Sequence, residues 1–204
     1  MDKFPLEKTE QGLESVPVWE QARACIVPYL EPAHSAKEYV PALRSSDSLV
    51  GMITNKIKMY IAVICKGIIV PLSEAILRTW DVTWKTVRLA MDENMARLSE
   101  LITYEEHTSP RGFAYMSLHH PVPAYTSSLA FYKPFRDKMC RYWGGSYYMA
   151  APERSTVVLF GKEELPKYVG SFRDDVLLTY DCSMRPLSGE LLEVSPQGIV
   201  TLLD

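Results

Sequence analysis

The sequence predicts an α+β fold of one domain, with helices packed on a mixed or mainly antiparallel sheet. Three observations carry this. An unbroken apolar, β-branched run at 57–66 reads as a buried strand. Two late segments, 146–160 and 189–203, each read as a strand pair around a turn. Between them lie helical stripes, and strands and helices do not alternate regularly.

The elements follow in order. Residues 1–14 are polar and acidic, carry no signal-peptide h-region, and are expected to form a loose arm. The single domain then covers 15–204. In "PVWEQARACIVPYL" (17–30), Val18, Ala22, Cys25, Ile26 and Tyr29 recur at helical spacing, and Pro17 suits a first turn. Pro28 and Pro32 should end or kink that helix. "EYVPALR" (38–44) is expected as a short strand, which Pro41 would place at an edge. The strand at 57–66 breaks at Gly67, and 68–73 continues as a second short strand.

Ser73 is a plausible N-cap for a helix with Ile76, Leu77 and Trp80 facing inward. Asp81 or Thr83 caps the next helix. Its stripe is Trp84, Val87, Met91, Met95 and Leu98, at spacings of 3, 4, 4 and 3. Glu93 and Arg97 form an i,i+4 pair on its polar side. Asn94 borders the stripe and is expected to hydrogen-bond a neighbouring loop. "GFAYMSL" (112–118) alternates as a strand, and "PVPAY" (121–125) is a loop. "YKPFRDKMCRYW" (132–143) is a short helix. "SYYMAA" and "STVVLF" form a hairpin around "PERS". Residues 162–180 are helical in parts, broken near Pro166 and Gly170. The closing hairpin turns at Pro196–Gly198.

The order of "VPALRSSD", the apolar strand, "PLSEAILRTWDVTWKTVRLAMDENM", "YYMAAPERSTVVLF" and "RPLSGELLEV" resembles the bacterial YtpQ-like domains of unknown function. The likeness spans roughly residues 38 to 195 and lies in pattern rather than in a signature motif. It implies an α+β fold. It brings no activity and no catalytic residue.

Composition narrows the chemistry. The net charge is −3, from 22 basic and 25 acidic residues, which argues against generic nucleic-acid binding. Cys25, Cys65, Cys140 and Cys182 lie far apart without a CxxC, and read as reduced thiols in a cytoplasmic protein. The apolar run at 59–72 is too short to span a membrane and contains Lys66. No GxSxG, GxGxxG or GxxxxGK[ST] is present, so no cofactor is expected.

Two groups of residues remain as sites. His119 and His120, with His107 and His34, are the acid–base or metal candidates. Neighbours on a strand point to opposite faces, so His119 and His120 cannot easily share a ligand. They read as strand-end or loop histidines, and no metal ligand set is expected. The helix at 132–143 carries Lys133, Arg136, Lys138 and Arg141. On a wheel Phe135, Met139, Tyr142 and Trp143 form its core side, with the basic residues opposite. That face is the expected binding surface. The expected function is a non-catalytic, immunity- or adaptor-like interaction domain that meets a protein partner through charged and aromatic surface. The alternative is a hydrolase with a dispersed site, using His119 or His120 with a carboxylate. RNA binding is a third possibility, resting on the Lys133–Arg141 face alone.

Overall fold

A computed structural model describes residues 17–33, 50–65 and 68–203. The expected arm at 1–14, the strand at 38–44, His34, Lys66 and Gly67 lie outside the described residues. In chain order the elements are α1 (Trp19–Ala22), β1 (Ile26–Pro32), β2 (Val50–Met52), β3 (Ile57–Cys65) and β4 (Ile68–Pro71). Next come α2 (Glu74–Trp80), α3 (Trp84–Ser99), β5 (Thr103–Thr108), β6 (Ala114–His119), α4 (Thr126–Phe131) and α5 (Lys133–Tyr142). The chain closes with β7 (Tyr147–Glu153), β8 (Thr156–Phe160), α6 (Leu165–Lys167), α7 (Arg173–Cys182), β9 (Leu191–Ser195) and β10 (Gly198–Leu203). The strands form two antiparallel sheets, so the fold is α+β.

The described residues group into two compact units. The first holds 17–29, 50, 60–65 and 68–96. Its core joins Ile26, Ile61, Val63 and Leu72 to Ile76 and Leu77 of α2 and Val87 and Ala90 of α3. β3 is the inner strand of its sheet and is buried continuously from Tyr60 to Ile64, as its sequence predicts. The Ser73 hydroxyl caps α2, accepting from the Ile76 N–H. Asp81 ends α2 in the left-handed conformation, at φ 53°, and Thr83 rather than Asp81 caps α3.

The α3 stripe is rotated from expectation. Val87, Ala90, Asn94, Met95 and Leu98 are buried, whereas Trp84 and Met91 are half-buried at its flank. The Trp84 indole N–H donates to the Glu74 carboxylate. Asn94 takes the centre because its amide donates to the carbonyls of Arg23, at 2.7 Å, and Ile26, at 2.9 Å. Glu93 forms an ion pair with Arg23 at 3.8 Å.

The predicted helix at 17–30 is corrected. It lasts one turn of α-helix and one of 3-10, then becomes β1 from Ile26. The reason is the phase of the prolines. Pro28 and Pro32 fall on the same edge of the strand, and β1 is the outer strand of its sheet. An edge strand tolerates a missing N–H on its outward side. Carbonyls on that same edge are met by side chains: Ile26 O by Asn94 and Leu30 O by Arg154.

The second unit holds 30–33, 51–59 and 97–203. Its frame is the six-stranded sheet β10-β9-β7-β8-β6-β5. Alternation divides each inner strand between two cores. Tyr147, Met149, Val157, Leu159, Met116, Leu118 and Leu192 face one side, against Phe131, Phe135, Met139 and Cys140 of α4 and α5. Tyr148, Ala150, Val158, Phe160 and Leu191 face the other, against Phe113, Tyr168 and Val176. Both predicted hairpins are present, with Ala150 opposite Val158 and Val194 opposite Ile199.

Three elements were not foreseen, the short strand β2 among them. "TYEEHT" folds as β5, pairing with β6 from Thr103↔His119 to Thr108↔Ala114. "PVPAY" is a loop only in part, ending in a 3-10 turn that leads into the buried helix α4.

Candidate functional site

The expected binding surface lies on α5, which opens with Pro134 in its first turn and packs by Phe135, Met139 and Cys140. Lys133, Lys138 and Arg141 are exposed on its outer side. Lys133 donates to Asp137 at 2.6 Å across one turn. That hydrogen bond, helped by the nearby charges of Lys133, Arg136 and Arg141, outweighs the opposing effect of desolvation and holds the Asp137 carboxyl below its usual value.

Two residues depart from the wheel. Arg136 shares an i,i+4 row with buried Cys140, so it sits at the core flank rather than opposite it. It is half-buried, and its Nε donates to the Phe131 carbonyl at 3.1 Å. Tyr142 shares a row with Lys138 and is 56% exposed, so it belongs to the outer face. Its hydroxyl donates to Glu106 at 3.1 Å. Trp143 is half-buried and stacks on Tyr147 at 5.0 Å. Beside this helix runs an open groove of about 410 Å³ lined by Lys133, Asp137, Cys140, Arg141, Gly144, Gly145 and Pro196.

The histidines are arranged by β5 and β6. His119 ends β6, and His120 follows it on the other side, as neighbours must. His120 is buried. Its Nδ1 accepts from the Val122 N–H at 2.9 Å, and its ring meets Tyr125 edge-on. Its Nε2 is enclosed and meets no hydrogen-bond partner among the described residues.

His119 is not isolated. Its partner in space is His107, on the unforeseen strand β5. Both Nε2 atoms approach the Ser117 hydroxyl, at 2.9 and 2.7 Å. Glu105 Oε2 lies 3.9 Å from His119 Nε2 and 4.0 Å from His107 Nε2. The sequence signal was a repeated x-His alternation, Glu105-x-His107 and Ser117-x-His119, which needs the β5–β6 register to be read.

This set does not have the geometry of a serine nucleophile relay. There, a carboxylate orients the base through the nitrogen opposite the serine. Here Glu105 approaches the same nitrogen that faces Ser117. His107 also lines an open cleft of about 430 Å³, with Tyr115, Phe160, Glu163 and Glu164.

Cys25, Cys65, Cys140 and Cys182 form no disulfide. No helix among the described residues is long and apolar enough to cross a membrane.

No protein-family model, curated protein or solved structure matches this chain.

Proposed function

We propose that the chain is a non-catalytic interaction domain that docks an acidic protein segment on the outer face of α5. One observation carries this reading. Lys133, Lys138 and Arg141 stand exposed together, beside exposed Tyr142, on a chain whose net charge is −3. Against two carboxylates, Asp137 and the Glu106 that Tyr142 bonds, the local balance of three cations is positive. Such a patch steers an acidic partner and disfavours a basic one. Tyr142 adds the aromatic contact that interfaces favour. Arg136, tied to the Phe131 carbonyl, is left to shape the helix start rather than to contact the partner. The proposal includes a cytoplasmic setting, an adaptor- or immunity-like role and kinship with YtpQ-like domains.

The test is a binding titration with fluorescent poly-glutamate, poly-lysine and single-stranded RNA as probes. Wild type should bind poly-glutamate and not poly-lysine, and Lys133→Glu/Lys138→Glu/Arg141→Glu should abolish that binding with the melt unchanged. Equal binding by wild type and variant would remove the proposal. Tight binding of the RNA, lost in the variant, would replace it with a nucleic-acid role.

The hydrolase reading keeps one supporting observation, the Glu105 carboxylate beside His119. His120 has no comparable support, because Val122 occupies its Nδ1 within a buried turn.

A further inference from the structure

We propose that Glu105, His107 and His119 form a mononuclear binding site for a divalent transition metal of the zinc class. The site lies on the outer β5–β6 hairpin, separate from the α5 face.

The register builds it. Glu105 pairs with Ser117, His107 with Tyr115, and Thr103 with His119. Paired residues share a face, and residues two apart share it as well. Glu105 and Ser117 therefore form the middle of a patch, and the imidazoles reach into it from opposite ends. Tyr115 stacks on His107 at 4.9 Å with planes 27° apart, which fixes the direction of that ring.

The ligand atoms converge. One donor atom from each of Glu105, His107 and His119 lies within 4.8 Å of the other two. The two Nε2 atoms turn toward one point, marked by the Ser117 hydroxyl. Glu105 Oε2 lies 3.9 Å from His119 Nε2 and 4.0 Å from His107 Nε2, too far to hydrogen-bond either imidazole. Bonds of 2.0–2.2 Å in a tetrahedron need ligand separations of about 3.3–3.6 Å. The Glu–His separations must close by roughly 0.5 Å on that scale. These side chains are 35%, 51% and 68% exposed, for His107, His119 and Glu105, so small rotations are open to them.

Two imidazoles and one carboxylate are borderline ligands. They suit Zn²⁺, Co²⁺, Ni²⁺ or Cu²⁺, whereas Mg²⁺ and Ca²⁺ prefer all-oxygen shells. An ion bonded to both imidazoles displaces the Ser117 hydroxyl from between them, and water completes the coordination on the solvent side.

Calorimetry of the full-length, tag-free protein with ZnCl₂ tests this, with Co²⁺ absorption and histidine NMR as further readouts. One equivalent should bind and shift the His107 and His119 resonances but not those of His120. His107→Ala, His119→Ala and Glu105→Gln should each weaken binding at least about tenfold. Cys182→Ser should bind as wild type, since the exposed thiol is not a ligand. Glu105 is well exposed, so its variant keeps the test valid where a histidine variant fails to fold. Absence of a one-to-one isotherm, unchanged binding in Glu105→Gln and a folded histidine variant, or loss in Cys182→Ser would overturn the proposal.

Discussion

Arg154→Met should destabilise the fold by about 3–5 kcal/mol, the cost of breaking a buried ion pair from one side. Arg154 and Glu31 are both 4% exposed. The guanidinium donates through Nε to the Leu30 carbonyl and through Nη2 to Glu31, each at 2.9 Å. At this distance, with an effective dielectric near 20, the gross attraction is about 6 kcal/mol. Desolvation of both ions offsets most of it, so the intact pair contributes little net stability. Truncation is different, because Glu31 keeps its burial and loses the Arg154 charge. The Leu30 carbonyl adds roughly 1 kcal/mol as a deprived buried acceptor. Removing both charges, in Glu31→Leu/Arg154→Met, should therefore restore at least about 2 kcal/mol relative to the single variant. Urea melts of wild type, both singles and the double give the coupling directly. A cost under about 1 kcal/mol for Arg154→Met, or a double variant no more stable than the single, would refute the buried-pair reasoning.

Three further outcomes follow from the cores and turns. Met95→Ala should cost about 2–5 kcal/mol and exceed Trp84→Ala in the same denaturant melts, because Met95 is 1% exposed and Trp84 is half-buried. Asn94→Asp should cost more than Asn94→Ala in those melts, since a carboxylate would face the Arg23 and Ile26 carbonyls that the amide now serves. Burial pushes the Glu153 carboxyl up, but hydroxyl donors Ser183, Ser155 and Thr156 outweigh it and leave the value lowered. A depressed folded value means the contribution is present above the ordinary carboxylate range and lost as pH falls through the folded one. Acid melts of wild type and Glu153→Gln should therefore converge at low pH and separate toward neutrality.

Much of the frame was legible because local signals agreed with their surroundings. The β3 run is apolar on both faces and lies inside a sheet. Ser73 stands where a cap belongs, and the turns at 153–156 and 195–198 carry turn residues. The misread elements are those where tertiary context overrides pattern. β1 has helical apolar spacing, and only the shared edge of Pro28 and Pro32 betrays a strand. β5 is a polar edge strand whose residues are nearly all exposed, so it lacks hydrophobic alternation. α4 buries Thr126, Ser127 and Ser128, hydroxyl residues that give no apolar stripe.

The sites follow the same division. The α5 face was legible from spacing, except that Cys140 rather than Tyr142 packs inward and Arg136 follows it. His107 and His119 meet only through the β5–β6 register. Arg154 sits in a turn sequence that suggests solvent and instead reaches β1.

The salt dependence of association tests the central claim of a charge-steered α5 surface most directly. Stopped-flow on-rates for poly-glutamate would be measured at ionic strengths from about 0.05 to about 0.5 M, where screening shortens from beyond 10 Å to a few ångströms. Wild type should bind fast at low salt and slow steeply as salt rises. Lys133→Glu/Lys138→Glu/Arg141→Glu should be slow throughout, with little slope. Parallel salt profiles for the two proteins would contradict the account and leave the α5 face as solvated surface.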